Sequence, residues 1–248
     1  MAIVPLQLQG LSKRFGRLVV LRGIELTVDA GEIVALLGAN GCGKTTLLSI
    51  AAGLAPASTG ACTWGDAADL DIEARRRLAF VAHSTQIYAR LSARENLRLV
   101  AALRGDVGAD PNIDRLIARV GLADAADRAA GTFSRGMQQR LAIARALLGA
   151  PELLLLDEPF TALDFAGRTL LGRLLLEERS RGAAILLTSH DLDAVAEVSD
   201  RAVLLADGRI TAQASREGSE SVVSFAERIR RLGTDTRTNA VQELAPHA

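Results

Sequence analysis

Lysine is almost absent: Lys13 and Lys44 are the only two in the chain, and arginine supplies nearly all the basic charge. Cysteine is as scarce, with Cys42 and Cys62 alone. Two thiols without metal-ligand spacing exclude a disulfide framework and fit a reducing compartment. Net charge is missing too, at +0, so no field across the whole surface gathers nucleic acid or an anionic membrane. No apolar run approaches the roughly 20 residues that cross a bilayer, so a role at a membrane needs a span from another chain. Met1 to Gln9 lack a basic segment followed by an apolar one, and no secretion signal is expected there. What is present is 248 residues, 49% of them hydrophobic. That is enough to bury the core of one large domain or of two closely packed lobes.

Because lysine is so rare, Lys44 carries weight. It stands in Gly38-Ala39-Asn40-Gly41-Cys42-Gly43-Lys44-Thr45, between an apolar run ending at Leu37 and another beginning at Leu47. The stretch has the form G-x-x-x-x-G-K-[ST]. A strand, a glycine-rich turn and a helix opening at the lysine aim backbone N–H groups at one point, and the helix dipole adds positive potential there. The result is a polyphosphate cradle in which Lys44 reaches the terminal phosphates and the Thr45 hydroxyl ligates Mg²⁺. A tight strand-to-helix turn would use the glycines as well, but turn geometry has no need of the Lys-Thr pair.

Around this stretch the chain alternates between strand and helix signals. Ile3 to Ala30 reads as short strands through Leu6, Leu8, Leu18 to Leu21, Ile24, Leu26 and Val28, expected as edge strands flanking the phosphate site. Phe15 falls in the loop between two of them; stacking on a purine and filling the core are equally open to it. Lys44 to Ala52 is predicted as a helix closed by Gly53, with strands at Ala61 to Trp64 and Leu78 to Ala82. Ser92 and Glu95 form a capping box that opens a helix through Leu103. Asp110-Pro111 opens another to Val120, with Ile113, Leu116, Ile117 and Val120 on one face. Residues 83–149 thus read as a mostly helical insert, and Ser134 is placed to N-cap its last helix.

Leu153 to Leu156 then run straight into Asp157 and Glu158. A continuously apolar strand suits a parallel sheet covered on both faces, and the carboxylates emerge at its C-terminal end, where ligands bind in open α/β sheets. Asp157 could hold Mg²⁺ through water and Glu158 could polarise an attacking water; a polar strand end is the plainer use. Helix Asp164 to Arg179 and strands Ala184 to Thr188 and Ala202 to Ala206 complete a βαβ alternation. His190 lies at the same sheet edge as the two acids, and Asp207-Gly208 reads as a hairpin turn. Beyond about Thr211 the chain turns polar, with one amphipathic stretch, Val222 to Leu232, and a tail of disorder-like composition.

Taken together, these residues resemble the nucleotide-binding subunit of ATP-binding-cassette (ABC) transporters, over Leu6 to about Gln213. Gly38 to Thr45 matches the family's Walker A motif, and Asp157 with Glu158 matches Walker B and the catalytic glutamate. Thr161-Ala162-Leu163-Asp164 is similar to the D-loop, His190 to the switch histidine and Phe15 to the adenine-stacking aromatic. The signature LSGGQ appears as Phe133-Ser134-Arg135-Gly136-Met137, keeping the serine and the second glycine, which the resemblance places on the γ-phosphate.

The resemblance implies an α/β P-loop NTPase fold, a RecA-like mixed sheet with antiparallel edge strands, plus a helical subdomain at about 83–149. The nucleotide-binding domain would span 1–214, with a partly disordered extension over 215–248. It implies an ATPase that binds ATP through Phe15, Gly38, Ala39, Asn40, Gly41, Cys42, Gly43, Lys44, Thr45, Thr46, Ser134 and Gly136. Glu158, His190 and Lys44 would be catalytic, and Mg²⁺ would sit at Thr45, Asp157 and, where the family has a glutamine, His83. An imidazole replaces one amide function but not both, so the metal role of His83 stays open, with Gln86 three residues on as the alternative.

A histidine there, with the run Asp157 to Asp164, is similar to the ATPase subunit of the haem exporter of bacterial cytochrome c maturation. Exporters of drugs, polysaccharides and lipids share the same style of signature. The implied partners are an integral-membrane permease, docked near Ile87 to Leu91, and a second nucleotide-binding subunit, in a homodimer or a pair. No nucleic acid and no direct contact with cargo are expected, and the place of work is the inner face of the cell membrane, reached through the permease. A soluble ABC ATPase acting on DNA or ribosomes is the rival reading; long coiled coil or a second cassette, which such proteins carry, is not seen in the sequence.

Overall fold

The computed structural model describes residues 2–105 and 110–243. A six-stranded sheet has the order β5-β6-β7-β3-β8-β9, built from β3 (Ile33–Leu37), β5 (Leu78–Val81), β6 (Leu153–Asp157), β7 (Ala184–Thr188), β8 (Arg201–Ala206) and β9 (Arg209–Ser215). Every residue of β3, β6 and β7 is buried, as a parallel strand covered on both faces requires. The first five strands run parallel. The sixth, β9, returns antiparallel at the edge through Asp207 and Gly208, whose φ values of 48° and 74° are those of a tight hairpin turn.

The N-terminal strands do not flank this sheet as edges. β1 (Leu6–Phe15) pairs antiparallel with β2 (Leu18–Val28) and with β4 (Thr59–Trp64), forming a separate sheet of order β2-β1-β4. Along β1, Leu6, Leu8 and Leu11 are buried while Gln9 and Arg14 are exposed. That is the pattern of a strand with one dry face. Phe15 is the last residue of β1 rather than a loop residue, and it stands in register with Leu18 across a two-residue turn.

Between the two sheets lies one core, which holds Leu6, Leu8, Ile24, Val34, Leu36 and Leu155 together with helix α1 (Lys44–Ala51) through Leu47, Leu48 and Ile50. Burying Leu47 and Leu48 fully contributes about 1.5–3 kcal/mol each and fixes the N-terminus of α1 against the strand that precedes it. A short helix, α2 (Ile72–Arg76), follows β4.

The other face of the large sheet is covered by α3 (Ala93–Arg104), α4 (Asp110–Arg119), α5 (Arg135–Leu147), α6 (Phe165–Ser180) and α7 (Leu192–Val198). α3 opens on the expected capping box, with the Glu95 N–H donating to Ser92 Oγ at 3.1 Å and the Ser92 N–H donating to Glu95 Oε2 at 2.8 Å. The Ser92 N–H on the carboxylate favours its charged form and holds Glu95 below its ordinary range. Ile113, Leu116, Ile117 and Val120 are all buried. Arg119 of α4 ties the helical insert to α6 by donating to Glu177 at 2.8 Å and Glu178 at 2.9 Å.

The ordered chain continues past Thr211, where polarity rises, because β9 is an edge strand whose outward residues are polar. The amphipathic stretch at Val222 begins α8 (Val222–Glu243), which packs through Phe225, Ala226 and Ile229. The end of the expected tail, residues 244–248, lies outside the described residues.

Candidate functional site

The chain leaves β3 at Leu37 and must turn sharply to enter α1. Gly38 does this at φ 152°, where a Cβ would stand 2.3 Å from the Leu205 carbonyl oxygen. Gly43, at φ 112°, N-caps α1 with no side-chain bond. In contrast Asp71, Ser92, Ser134, Asp164 and Asp191 each cap their own helix through a side chain. The first N–H groups of α1 thus have no side-chain acceptor, and no acidic residue lies in its first turn. An anion satisfies such a terminus.

Lys44 is only 7% exposed. Its Nζ donates to the carbonyl oxygens of Gly38 at 2.7 Å and Ala39 at 3.0 Å, so the ammonium folds back over the loop it follows, with a third N–H to give.

Asp157 ends β6 in register with Thr188 at the end of β7. Its carboxylate is clamped from both sides: Thr45 Oγ1 donates to Oδ2 at 2.7 Å and Thr188 Oγ1 donates to Oδ1 at 2.7 Å. Thr188 Oγ1 also accepts from the Glu158 N–H at 2.9 Å. Glu158 itself sits at φ 53°, a left-handed conformation that a non-glycine residue holds only where its surroundings impose it. Its Oε2 lies 2.8 Å from His190 Nδ1. These groups line adjoining cavities. One, of about 460 Å³, is bounded by Asn40, Gly41, Gly43, Lys44, Thr45, Thr46, His83, Asp157 and Glu158. A second, of about 380 Å³, is bounded by Gly38, Ala39, Asn40, His83, Glu158, Thr161 and His190. Cys42 lines a third, of about 1080 Å³, together with Gly38 and His190.

The fold therefore brings together the loop residues Gly38 to Thr46 with His83, Asp157, Glu158 and His190. Three of the expected nucleotide-binding residues are not at these cavities. Phe15 is 55% exposed at the end of the β1–β2 hairpin. Ser134 is exposed, and its Oγ accepts from the Met137 N–H of its own helix at 3.3 Å. Gly136 lies close under the 159–163 segment, where a Cβ would meet the Ala162 carbonyl oxygen at 3.0 Å. Gln86 does not take the place left to His83: it faces a separate small cavity with Thr85 and Arg145, and its carbonyl oxygen accepts from Arg145 Nη1 at 2.5 Å.

The residue that sequence reasoning missed is Thr188. Its signal was available, as the single polar residue closing an otherwise apolar strand.

Thr45 Oγ1 and the Asp157 carboxylate are two hard oxygen donors side by side at the cavity wall. Among the described residues no cluster of three or more His, Cys, Asp or Glu could hold a metal alone. That oxygen pair fits Mg²⁺, which takes one or two protein oxygens and completes its shell with phosphate and water.

The family model described as ABC transporter matches residues 21–161. The chain is similar to an aliphatic sulfonates import ATP-binding protein of Burkholderia cenocepacia (strain HI2424), 44% identical over 196 residues, which are 78% of this chain and 71% of that protein. It is also similar to a fluoroquinolones export ATP-binding protein of Mycobacterium tuberculosis (strain ATCC 25618 / H37Rv), 37% identical over 211 residues, 84% of this chain and 69% of that one. Among solved structures, the ATP-binding subunit of an ABC transporter superposes with a TM-score of 0.81 at 29% identity, covering 92% of this chain and 100% of that one. A dimeric ATP-binding cassette in a post-hydrolysis state with ADP and phosphate gives 0.75 at 26% identity, covering 86% and 99%.

Proposed function

This chain belongs to the ABC transporter family as its ATP-binding, ATP-hydrolysing subunit, and we propose that it powers export, with haem for cytochrome c assembly as the cargo. The observation that carries the ATPase chemistry is the Asp157 clamp. Thr45 from the phosphate loop and Thr188 from the neighbouring strand hold one carboxylate at both oxygens, and Glu158 is fixed through the same Thr188.

ATP is the substrate. Its β- and γ-phosphates lie over the N–H groups of Gly38 to Thr46, and Lys44 turns from the Gly38 and Ala39 carbonyls to meet them. Thr45 and Asp157 would hold Mg²⁺, which when bound neutralises charge on the phosphates. Glu158 accepts a proton from water as its oxygen bonds to the γ-phosphorus and the bond to the β-phosphate oxygen breaks, leaving ADP. His190 gives up Glu158 Oε2 and donates to the γ-phosphate, so one hydrogen bond reports whether that phosphate is present. Ser134 and Gly136, away from these cavities, would close on a nucleotide held by a second copy. The working form is then a dimer that ATP holds shut.

Among the described residues no helix is long and apolar enough to cross a membrane, and the reading places the chain on the inner face of the membrane beneath a permease. The loop Ile87 to Leu91 supports docking there. The buried Asn96 amide donates to the carbonyls of Tyr88, Leu91 and Ser92 at 2.9–3.2 Å and accepts from the Tyr88 N–H at 2.9 Å, which pins the loop from inside and leaves the Tyr88 ring half-exposed.

His83 at the phosphate cavity supports the haem-export reading, because that exporter is the group it resembles. A second reading, uptake, is favoured by the 44% identity to a sulfonate importer. Deleting the gene separates them. Loss of c-type cytochromes, restored by the native gene but not by one carrying Glu158→Gln, supports haem export; intact cytochromes with failure to grow on alkanesulfonates supports uptake.

A further inference from the structure

The second of the two lysines has no role in the phosphate cradle, yet it is buried. Lys13 is 8% exposed, and among the described residues no carboxylate pairs with it. Its Nζ donates to the Pro56 carbonyl oxygen at 2.6 Å and stands 5.0 Å from the centroid of the Phe15 ring. Residues two apart on a strand share a face, which lets the ammonium sit against the ring. A largely desolvated cation gains most from the negative face of an aromatic ring, and here it occupies one face while the ring stays 55% exposed. The other face is therefore the one offered to solvent.

The anchor itself is fixed. The Ser58 N–H donates to the Ser12 carbonyl at 2.8 Å, and the Arg14 N–H donates to Ser58 Oγ at 3.0 Å. Pro56 belongs to the segment that leaves α1, whose opposite end carries Lys44 and Thr45.

We infer that Lys13 is a positioning residue for the nucleotide base. It holds Phe15 with one face open, and through Pro56 it ties that ring to the far end of the helix whose N-terminus takes the phosphates. This rests on the role of stacking aromatic that the family resemblance implies for Phe15, and adds what presents it. A ring at a hairpin end without such a hold would lose rotamer freedom on every binding event. The ammonium on one face also draws electron density from the ring, which favours an electron-rich purine on the other. The consequence is selective: Lys13 contributes to affinity for ATP and nothing to affinity for a polyphosphate without a base.

The test compares ATP with inorganic tripolyphosphate, each with Mg²⁺, by calorimetry on the full chain. Phe15→Ala is expected to weaken ATP about 10-fold through lost stacking and to leave tripolyphosphate unchanged. Lys13→Met is expected to weaken ATP about 3-fold, again with tripolyphosphate unchanged, which also shows that the cradle is folded. Lys13→Arg keeps a cation over the ring and stays within about 2-fold of the native chain. In the Phe15→Ala background, Lys13→Met adds nothing. If Phe15→Ala leaves ATP affinity intact, the stacking reading itself fails. If Phe15→Ala behaves as expected while Lys13→Met has no effect, weakens both ligands alike, or still acts without the ring, the role given to Lys13 is overturned.

Discussion

Lys44 and Asp157 are 7% and 3% exposed, and each is bonded to groups of its own chain, one to the carbonyls of the phosphate loop and the other to hydroxyls from two elements. Ser134, by contrast, is exposed and its hydroxyl does no more than cap its own helix. The phosphate end is preorganised by the fold: β3, β6 and β7 are wholly buried, and their C-terminal ends set the loop and the acids in place before any ligand arrives. The signature end presents its groups outward from a helical insert. It is linked to the acid loop through Gln139 Nε2, which donates to the Pro159 carbonyl at 3.2 Å. On the proposed reading, one end is complete within the chain and the other is half of a site shared by two copies. A nucleotide should bind to the first alone and be hydrolysed only when a second copy supplies the other.

The contrast breaks most visibly at Glu158. Glu158→Gln should lower phosphate release about 10³-fold, the range expected for a lost general base, with ATP binding by equilibrium dialysis retained. Undiminished turnover would remove Glu158 from the chemistry. At the signature end, Ser134→Asp keeps a good helix cap but brings a negative charge toward phosphate. Turnover should fall about 10²-fold while the isolated chain binds ATP as before. A matching loss of affinity would mean that the two ends already meet within one copy.

Thr188→Val sharpens the account of the phosphate end. Without its hydroxyl, Asp157 keeps one clamp and Glu158 loses its N–H acceptor, and the Mg²⁺ needed for half-maximal turnover should rise about 10- to 100-fold. Thr188→Ser should restore it. The smallest effect is on thiol chemistry. Burial pushes the Cys62 thiol up to about 12, so maleimide should modify Cys42 alone. With ATP at ten times its Kd, that modification should slow about 10-fold. Labelling of Cys42 that ignores MgATP would place the nucleotide elsewhere.

Much of the phosphate end was legible in the sequence because local rules and the global fold agree there. An apolar strand, a glycine turn and a lysine-opened helix can be read residue by residue, and the run Leu153 to Asp157 announces a covered parallel strand with an acid at its ligand-binding end. The separate β2-β1-β4 sheet was not legible, since period-two alternation tells which face of a strand is dry and says nothing of which strand lies beside it. Thr188 was missed for a related reason. Its partner Asp157 is distant in sequence and adjacent only through the register of β6 on β7. The edge strand β9 outlasted the rise in polarity at Thr211 because outward residues of an edge strand are polar anyway.

Sedimentation equilibrium of the Glu158→Gln chain, with and without MgATP, tests the central contrast most directly. The account predicts that MgATP doubles the mass and that adding Ser134→Asp abolishes the doubling while bound nucleotide remains. A chain that holds MgATP yet keeps the mass of a single copy, or a doubling indifferent to Ser134→Asp, would contradict it.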